Sequence, residues 1–534
     1  MKIALISTDM HVYTHGLRAI STYLKQHGHE TIIISMPSMN NVGLVKDYKR
    51  LYSDEALKNM AALVEDCQLV GVCSIAANFE KAIQVVDTIK PLKIPTVWGG
   101  IFPTTYSEFC IKHCDIICVG EGEMAICELA DRIEANENYF DVKNFWFKKD
   151  NQVIKNSMRP MIHELDDLYP DYDLETNFVL ENNKEIVKLS DKHLEYWLFY
   201  QGTRGCFYSC KFCCNYQLDK MYNDRSRKIR KKSVPAMIKD IKEIRSKFST
   251  IKYVWFNDDD MNVLTIDETK QFSELYKKEI NLPFKIYMSP PTVNEEKLKY
   301  FLEAGLDQIE LGIQTGSDRV NKELYGRPIF RANILKAAKI LNKQKKRMSS
   351  PSYQIIANNP YENQQDVLDT ISLLQKIPAP YKMQPFGLVF FPGTPLYDMA
   401  VKDGIVKKFE DSGYDLDFND MSQHLGLGRK NFYLNCLINY MGGSTTRYRH
   451  GLLPKFILPF LLNTKIINFF DKNHNFLSVL NIAKSNLSKI KIVAYMSRKF
   501  FKVKGWIYGL VPIEIKKVIK IFLKKGVVYE VKER

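Results

Sequence analysis

Along the first 140 residues, short apolar runs alternate with stretches of helical spacing. Lys2 to Ser7 reads as an apolar strand. Leu17, Ile20, Tyr23 and Leu24 fall on one face of a helix, His27-Gly28-His29 ends it, and the β-branched run Thr31 to Ser35 is a second strand. Further strands are predicted at Leu69 to Ser74, Thr96 to Trp98 and Ile116 to Val119, with helices at Phe79 to Lys90 and Met124 to Asn136. This alternation predicts a doubly wound parallel sheet, which binds ligands beyond the carboxyl ends of its strands. Those ends carry Ser74, then Gly99-Gly100, then Gly120-Glu121-Gly122-Glu123 opening a helix. Paired glycines let a ligand come close to the backbone.

Between 141 and 194 the pattern weakens to a connector. Asn144 to Lys148 and Gln152 to Asn156 read as a hairpin around Asp150-Asn151. The acidic, proline-containing strip Leu165 to Asp173 reads as a linker without chemistry. From Glu195 strands return, at Glu195 to Gln201, Ile251 to Phe256, Phe284 to Met288, Gln308 to Gln314, Tyr353 to Ala357 and Met383 to Phe391, with helical spacing between, as over Val234 to Phe248. Six strand–helix units over 195–400 predict a partial (β/α)6 barrel. Residues 401–534 read as helical.

Composition is that of a folded protein, with 45% hydrophobic and 26% charged residues. The net charge of +15 is local. From Lys430 to Arg534 there are 20 Lys and Arg against four Asp and Glu, so the tail holds the whole surplus. Within it, Gly451 to Leu462 is apolar and Ile513 to Lys525 is amphipathic, with Ile515, Val518, Ile519 and Phe522 opposite Lys516, Lys517, Lys520 and Lys524. Three readings stand: an anionic membrane surface or lipid-like substrate, a helix packed on the barrel, and, with least support, nucleic acid. There is no apolar run of about 20 residues for a spanning helix. Met1 to Ser7 runs straight into a strand, so a cytoplasmic, reducing location is expected, peripheral at most to the inner membrane face. The 11 cysteines are then free for a metal.

Cys206, Cys210 and Cys213 give the spacing C-x3-C-x2-C. Three thiolates on one loop can hold three irons of a cubane cluster and leave the fourth open. A zinc knuckle using Cys214 is the alternative, at a poor tetrahedral spacing. Asp258, Asp259 and Asp260 follow a strand, where adjacent carboxylates need donors, a cation or a helix N-terminus to cap. Glu310, Gly312 and Gln314 share one strand face and would need polar partners inside a barrel.

The cysteine loop, with Arg204-Gly205 before it and Phe212 within it, resembles the signature of the radical S-adenosylmethionine (SAM) superfamily. Gln308 to Ser317 resembles that family's G-I-Q-S-G-S strand, with Thr315 for serine, and Pro392 to Tyr397 resembles its last barrel loop. Asn358 departs from the glycine expected after the fifth strand. The N-terminal region resembles the Rossmann-like cobalamin-binding domains fused to such enzymes, through Gly16-Leu17, Gly28-His29-Glu30, Gly99-Gly100 with Thr104, and Gly120 to Glu123. The D-x-H-x-x-G motif is incomplete: Asp9 and His11 are followed by Thr14.

The resemblance implies a [4Fe-4S] cluster on Cys206, Cys210 and Cys213. It implies SAM contacts from Phe212, Asp258, Asp260, Glu310 and Gln314, and a cobalamin site at Ser74, Gly99, Gly100, Gly120, Glu121 and Gly122. No residue is singled out as catalytic. The implied chemistry is reductive cleavage of SAM to a 5′-deoxyadenosyl radical, then methyl transfer to an unactivated carbon of a small or lipid-like substrate. Rearrangement, oxidation or cyclisation without methylation is the alternative. tRNA methylthiolation and a non-enzymatic metal protein rank below both. An electron donor such as a flavodoxin or ferredoxin is implied.

Overall fold

The structure, a computed structural model, describes residues 1–37, 51–222, 229–413, 430–441 and 458–472. The first sheet begins with β1 (Lys2–Ser7), β2 (Glu30–Ser35), β3 (Leu69–Cys73), β4 (Thr96–Gly99) and β5 (Ile116–Cys118). Helices His15–Gln26, Asp54–Val64, Phe79–Ile89 and Glu123–Glu134 intervene. β1 is buried along nearly its whole length, as a strand covered on both faces must be. Leu17 and Leu24 of the first helix are buried beneath it in one of the N-terminal cores. β1 pairs in parallel with β2 on one side and β3 on the other. The chain thus reverses direction across the sheet at β1, and the crevice beyond β1 and β3 is the site such sheets use for ligands.

The segment read as a connector belongs largely to this sheet. β6 (Phe145–Lys149) and β7 (Gln152–Lys155) form the expected hairpin, with Asp150 and Asn151 both at positive φ. β8 (Asn177–Glu181) and β9 (Glu185–Lys188), not foreseen, form a second hairpin. The order is β7-β6-β5-β4-β3-β1-β2-β8-β9, so a hairpin closes each edge of the parallel core. The acidic strip is a strap rather than a free linker. Buried Arg18 donates from Nη1 to Asn177 Oδ1 at 2.7 Å and from Nε to the Val12 carbonyl at 3.1 Å, and lies 3.9 Å over the Tyr172 ring. Asp171 accepts from Ser21 Oγ at 2.6 Å and pairs with Lys25 Nζ at 2.8 Å.

The second sheet starts at β10 (Tyr196–Tyr200). A short antiparallel pair follows, β11 (Thr203–Arg204) and β12 (Arg230–Lys231), bracketing the cysteine loop and helix Cys214–Tyr222. Then come β13 (Ile251–Phe256), β14 (Phe284–Met288), β15 (Leu306–Gln314), β16 (Ser352–Ala357) and β17 (Lys382–Gly387). β10 and β13 to β17 are parallel and lie in chain order, the six-stranded partial barrel expected. Helix caps agree with the sequence: Ser233 accepts from Ala236 N–H, and Thr265 with Glu268 forms a capping box.

Tyr13 of the first domain donates its hydroxyl to the Trp197 carbonyl on β10, the edge strand of the barrel. At the far edge helix Phe432–Met441 packs on β17 and on helix Gln364–Lys376. Its Asn435 Oδ1 accepts the N–H of Asn358, which takes φ 58° where a glycine was expected. Among the described residues, no helix is long and apolar enough to cross a membrane. The amphipathic stretch Ile513 to Lys525 and residues 451–457 of the apolar stretch lie outside the described residues.

Candidate active site

A cavity of ≈ 860 Å³ separates the two sheets. All six residues expected at a cobalamin site, Ser74, Gly99, Gly100, Gly120, Glu121 and Gly122, line its N-terminal wall. The glycines are required there. Gly100 sits at φ 99°, ψ −174°, and a methyl on it would lie 2.8 Å from the Ser74 carbonyl oxygen. Gly120 sits at φ 86°, and a methyl on it would lie 2.4 Å from the Tyr222 hydroxyl. Ser74 Oγ accepts from Trp98 Nε1 at 2.9 Å, so its side chain fixes the wall. His11, at the rim, stacks on Phe199 of β10 with centroids 5.6 Å apart.

The carboxylate of Glu121 faces protein partners. Arg204 Nη1 reaches its Oε1 at 3.1 Å, Arg230 Nη1 reaches the same oxygen at 2.7 Å, and Ile162 N–H donates to Oε2 at 2.9 Å. Burial alone would raise this carboxyl; Arg204 and Arg230 outweigh it and hold Glu121 below the usual range.

On the barrel side the cavity reaches Gly205 and Cys214, the flanks of the cysteine loop. Cys210 is buried, and Cys206 and Cys213 are half-buried. Burial pushes Cys206 up to about 12, and Asp259, Cys210 and Cys213 add to the effect. Such thiols give up their protons to a bound cation, as metal ligands must. The loop is anchored at Lys211, whose N–H donates to the Tyr325 carbonyl at 2.9 Å and whose carbonyl accepts from Leu396 N–H at 3.0 Å. Phe212 meets Tyr325 edge-on at 4.9 Å within an apolar cluster. Cys213 pairs with Cys214, which raises the first thiol and lowers the second.

Of the three aspartates, the two expected to meet SAM serve the backbone. Asp258 Oδ1 accepts from Gly202 N–H at 2.9 Å and Thr203 Oγ1 at 2.7 Å, and burial lifts the carboxyl to about 6. Asp260 caps the turn Met261–Val263 and accepts from Ser289 N–H at 2.9 Å and Thr292 Oγ1 at 3.0 Å. Asp259 is the one on the cavity wall, held by Asn215 Nδ2 at 2.9 Å.

Glu310 is likewise partnered. It pairs with Lys285, whose Nζ lies 3.3 Å from the Trp255 ring centroid, and accepts from Gln354 at 2.9 Å and Gln384 at 3.2 Å. Gln314 differs: at φ 63° it folds back, so a methyl on Gly312 would lie 2.7 Å from its Nε2 and 3.6 Å from Arg327 Nη2.

Arg327 escaped the sequence reading. It is buried, sits 5.4 Å from the Tyr208 ring, and feels the thiols of Cys210 and Cys206. Its Nη1 makes no hydrogen bond. A buried guanidinium nitrogen without an acceptor is costly, and an anion beside the cysteine loop would relieve it. Cluster thiolates and a carboxylate-bearing cosubstrate therefore fit these residues.

Comparison with known proteins defines the class. The B12 binding domain matches residues 1–130 and the Radical SAM superfamily matches residues 200–374. The chain thus carries an N-terminal B12-binding domain followed by a radical SAM domain. Among curated relatives, it is 22% identical over 357 residues to cytidylyl-2-hydroxyethylphosphonate methyltransferase of Streptomyces wedmorensis, covering 59% of this chain and 64% of the relative. It is 25% identical over 320 residues to the anaerobic magnesium-protoporphyrin IX monomethyl ester cyclase of Rubrivivax gelatinosus, covering 57% and 53%. The matches thus span less than two thirds of either relative. Its fold resembles the cobalamin-dependent S-adenosylmethionine radical enzyme OxsB, with TM-score 0.62, 14% identity, and 99% and 81% of the two chains covered. It also resembles the methyltransferase TsrM of Kitasatospora setae, with TM-score 0.58, 14% identity, and 76% of each chain covered.

Proposed function

We propose that the chain is a cobalamin-dependent radical SAM enzyme that methylates an unactivated carbon of a small-molecule substrate. The observation that carries this is the cavity in which the strand ends of the B12-binding domain face the flanks of the cysteine loop. A [4Fe-4S] cluster on the cysteine loop would supply the electron that cleaves SAM, and cobalamin in the cavity would supply a transferable methyl group. Cys206, Cys210 and Cys213 would hold three irons of that cluster and leave one iron open to SAM. Arg327 pairs with the SAM carboxylate, which gives its free Nη1 an acceptor. Gln314 and Gly312 form the adjoining wall, Gly312 keeping it low. Gly99, Gly100, Gly120 and Gly122 let cobalamin lie against backbone, and Ser74 keeps Trp98 in place beneath it.

Anaerobic reconstitution tests this. The expected result is about four irons and one cobalt per chain, 5′-deoxyadenosine formed from SAM and a low-potential reductant such as reduced flavodoxin, and labelled methyl moved from SAM to product. Four irons with no cobalt would sink the methyl-transfer reading. Radical chemistry without methylation is the second reading, favoured by the similarity to the cyclases; one cobalt and 5′-deoxyadenosine without methyl transfer would select it.

A further inference from the structure

We infer that Glu121 and Glu123 are positioning residues that fix the cysteine loop against the B12-binding domain, so that filling the cobalamin site changes SAM binding at the cluster. This rests on the functional reading above.

Both flanks of the cysteine loop end on one loop of the other domain. In front, Arg204 lies two residues before Cys206. It donates from Nη1 to Glu121 at 3.1 Å and from Nη2 to Glu123 Oε1 at 2.5 Å. Behind, helix Cys214–Tyr222 starts beside Cys213 and ends at Tyr222, whose hydroxyl oxygen accepts the Glu121 N–H at 2.7 Å. β12 then places Arg230 directly opposite Arg204, where it reaches Glu121 Oε1 at 2.7 Å and the Ile162 carbonyl at 2.7 Å.

Two carboxylates thus balance two guanidiniums across the domain boundary. The Glu123 and Arg230 side chains are only 3% and 8% exposed, so water screens the network poorly. Removing one charge leaves its partner buried and uncompensated. Burial would lower Arg204, but Glu123 and Glu121 raise it instead. The contact is also tight: Gly120 has no room for a methyl beside the Tyr222 hydroxyl.

A fold staple could sit anywhere on the boundary; this one lies on the cavity wall. Gly120, Gly122, Arg204, Gly205 and Tyr222 all line the cavity, so a ligand pressing on the glycines bears on both flanks of the cysteine loop. Such coupling is reciprocal: if cobalamin alters SAM affinity, SAM alters cobalamin affinity by the same factor.

The test uses the full chain, reconstituted with iron and sulfide, with and without hydroxocobalamin. SAM is titrated against the EPR signal of the reduced cluster. In the wild type, cobalamin should change the SAM dissociation constant by about 5-fold or more. Glu121→Gln and Glu123→Gln keep shape and lose charge. They should hold about four irons and take up hydroxocobalamin, read from its visible absorption, yet bring that ratio close to one. Arg204→Lys keeps charge and loses the fork, and should do the same if the Gln variants fold poorly. A wild-type ratio of one, or an unchanged ratio in the variants, would overturn the inference while leaving the functional reading intact. Loss of the cluster in all three variants would also overturn it, reducing the network to a folding role. Failure of the wild type to take up iron or cobalamin would remove the functional reading and this inference together.

Discussion

The two walls of the cavity are made of different material. The N-terminal wall is backbone: Gly99, Gly100, Gly120 and Gly122, with Ser74 turned toward Trp98. Behind the barrel side of the cavity lies charge, most of it already matched. Asp258 Oδ1 and Asp260 accept from backbone, Glu310 has Lys285, and Arg327 Nη1 and Asp258 Oδ2 make no hydrogen bond. A backbone wall admits a broad ligand through shape and resists it only by strain. A matched polar layer is preorganised, and an unmatched guanidinium nitrogen such as Arg327 Nη1 marks where a ligand charge belongs.

The largest effect should come from the thiols. Replacing Cys206, Cys210 or Cys213 by Ala should abolish SAM cleavage, read as 5′-deoxyadenosine by chromatography alongside iron content; cleavage retained in all three would break the comparison at its root. Next comes the backbone wall. Gly100→Ala forces a side chain into a conformation only glycine tolerates, at about 1–3 kcal/mol, and against Ser74. Cobalt retained after gel filtration should fall about tenfold while iron content holds. Equal loss of both metals would mean that the two walls are not separable.

On the barrel side, Arg327→Gln should weaken SAM binding by roughly 10- to 100-fold, the equivalent of a charged hydrogen bond, without lowering the melting temperature. An unchanged SAM dissociation constant would show that the free nitrogen marks no ligand. The smallest effect concerns Glu362. Burial pushes its carboxyl up to about 8 from an ordinary 4.5. The folded chain keeps this proton over a range where the unfolded chain loses it, so the group costs stability progressively from about pH 4.5 to 8. Glu362→Gln should therefore flatten the pH dependence of the melting temperature there. A parallel shift at all pH values would show that the carboxyl is ionised in the fold.

Six barrel strands and five N-terminal strands were legible because apolar, β-branched runs announce buried parallel strands. β8 and β9 were not: Asn177 to Glu181 has polar residues at both ends and follows the acidic strap, and its pairing with β2 and β9 makes it a strand. Near the site, glycines were readable because their backbone demands are local. For the aspartates the strand's two-residue period carried a further signal: Trp255, Asn257 and Asp259 share it and all line the cavity, whereas Asp258 and Asp260, expected to meet SAM, have the other parity. Glu121 was found as a position and missed as a role, since Arg204 and Arg230 come from 83 and 109 positions away. Arg327 could not be found by periodicity, because it follows a turn at Gly326, φ 60°.

A six-stranded partial barrel is a curved ribbon with two free margins, unlike a closed ring. One margin, β10, lends its Trp197 carbonyl to Tyr13, and the other, β17, lies under helix Phe432–Met441. Among the described residues, each seam thus meets another segment of the chain, Tyr13 at one and helix Phe432–Met441 at the other. The other domain leans on the β10 margin, and the cavity lies between the two sheets. A flat, wide cofactor can thus slide in sideways between the two sheets, instead of threading down an axis too narrow for it.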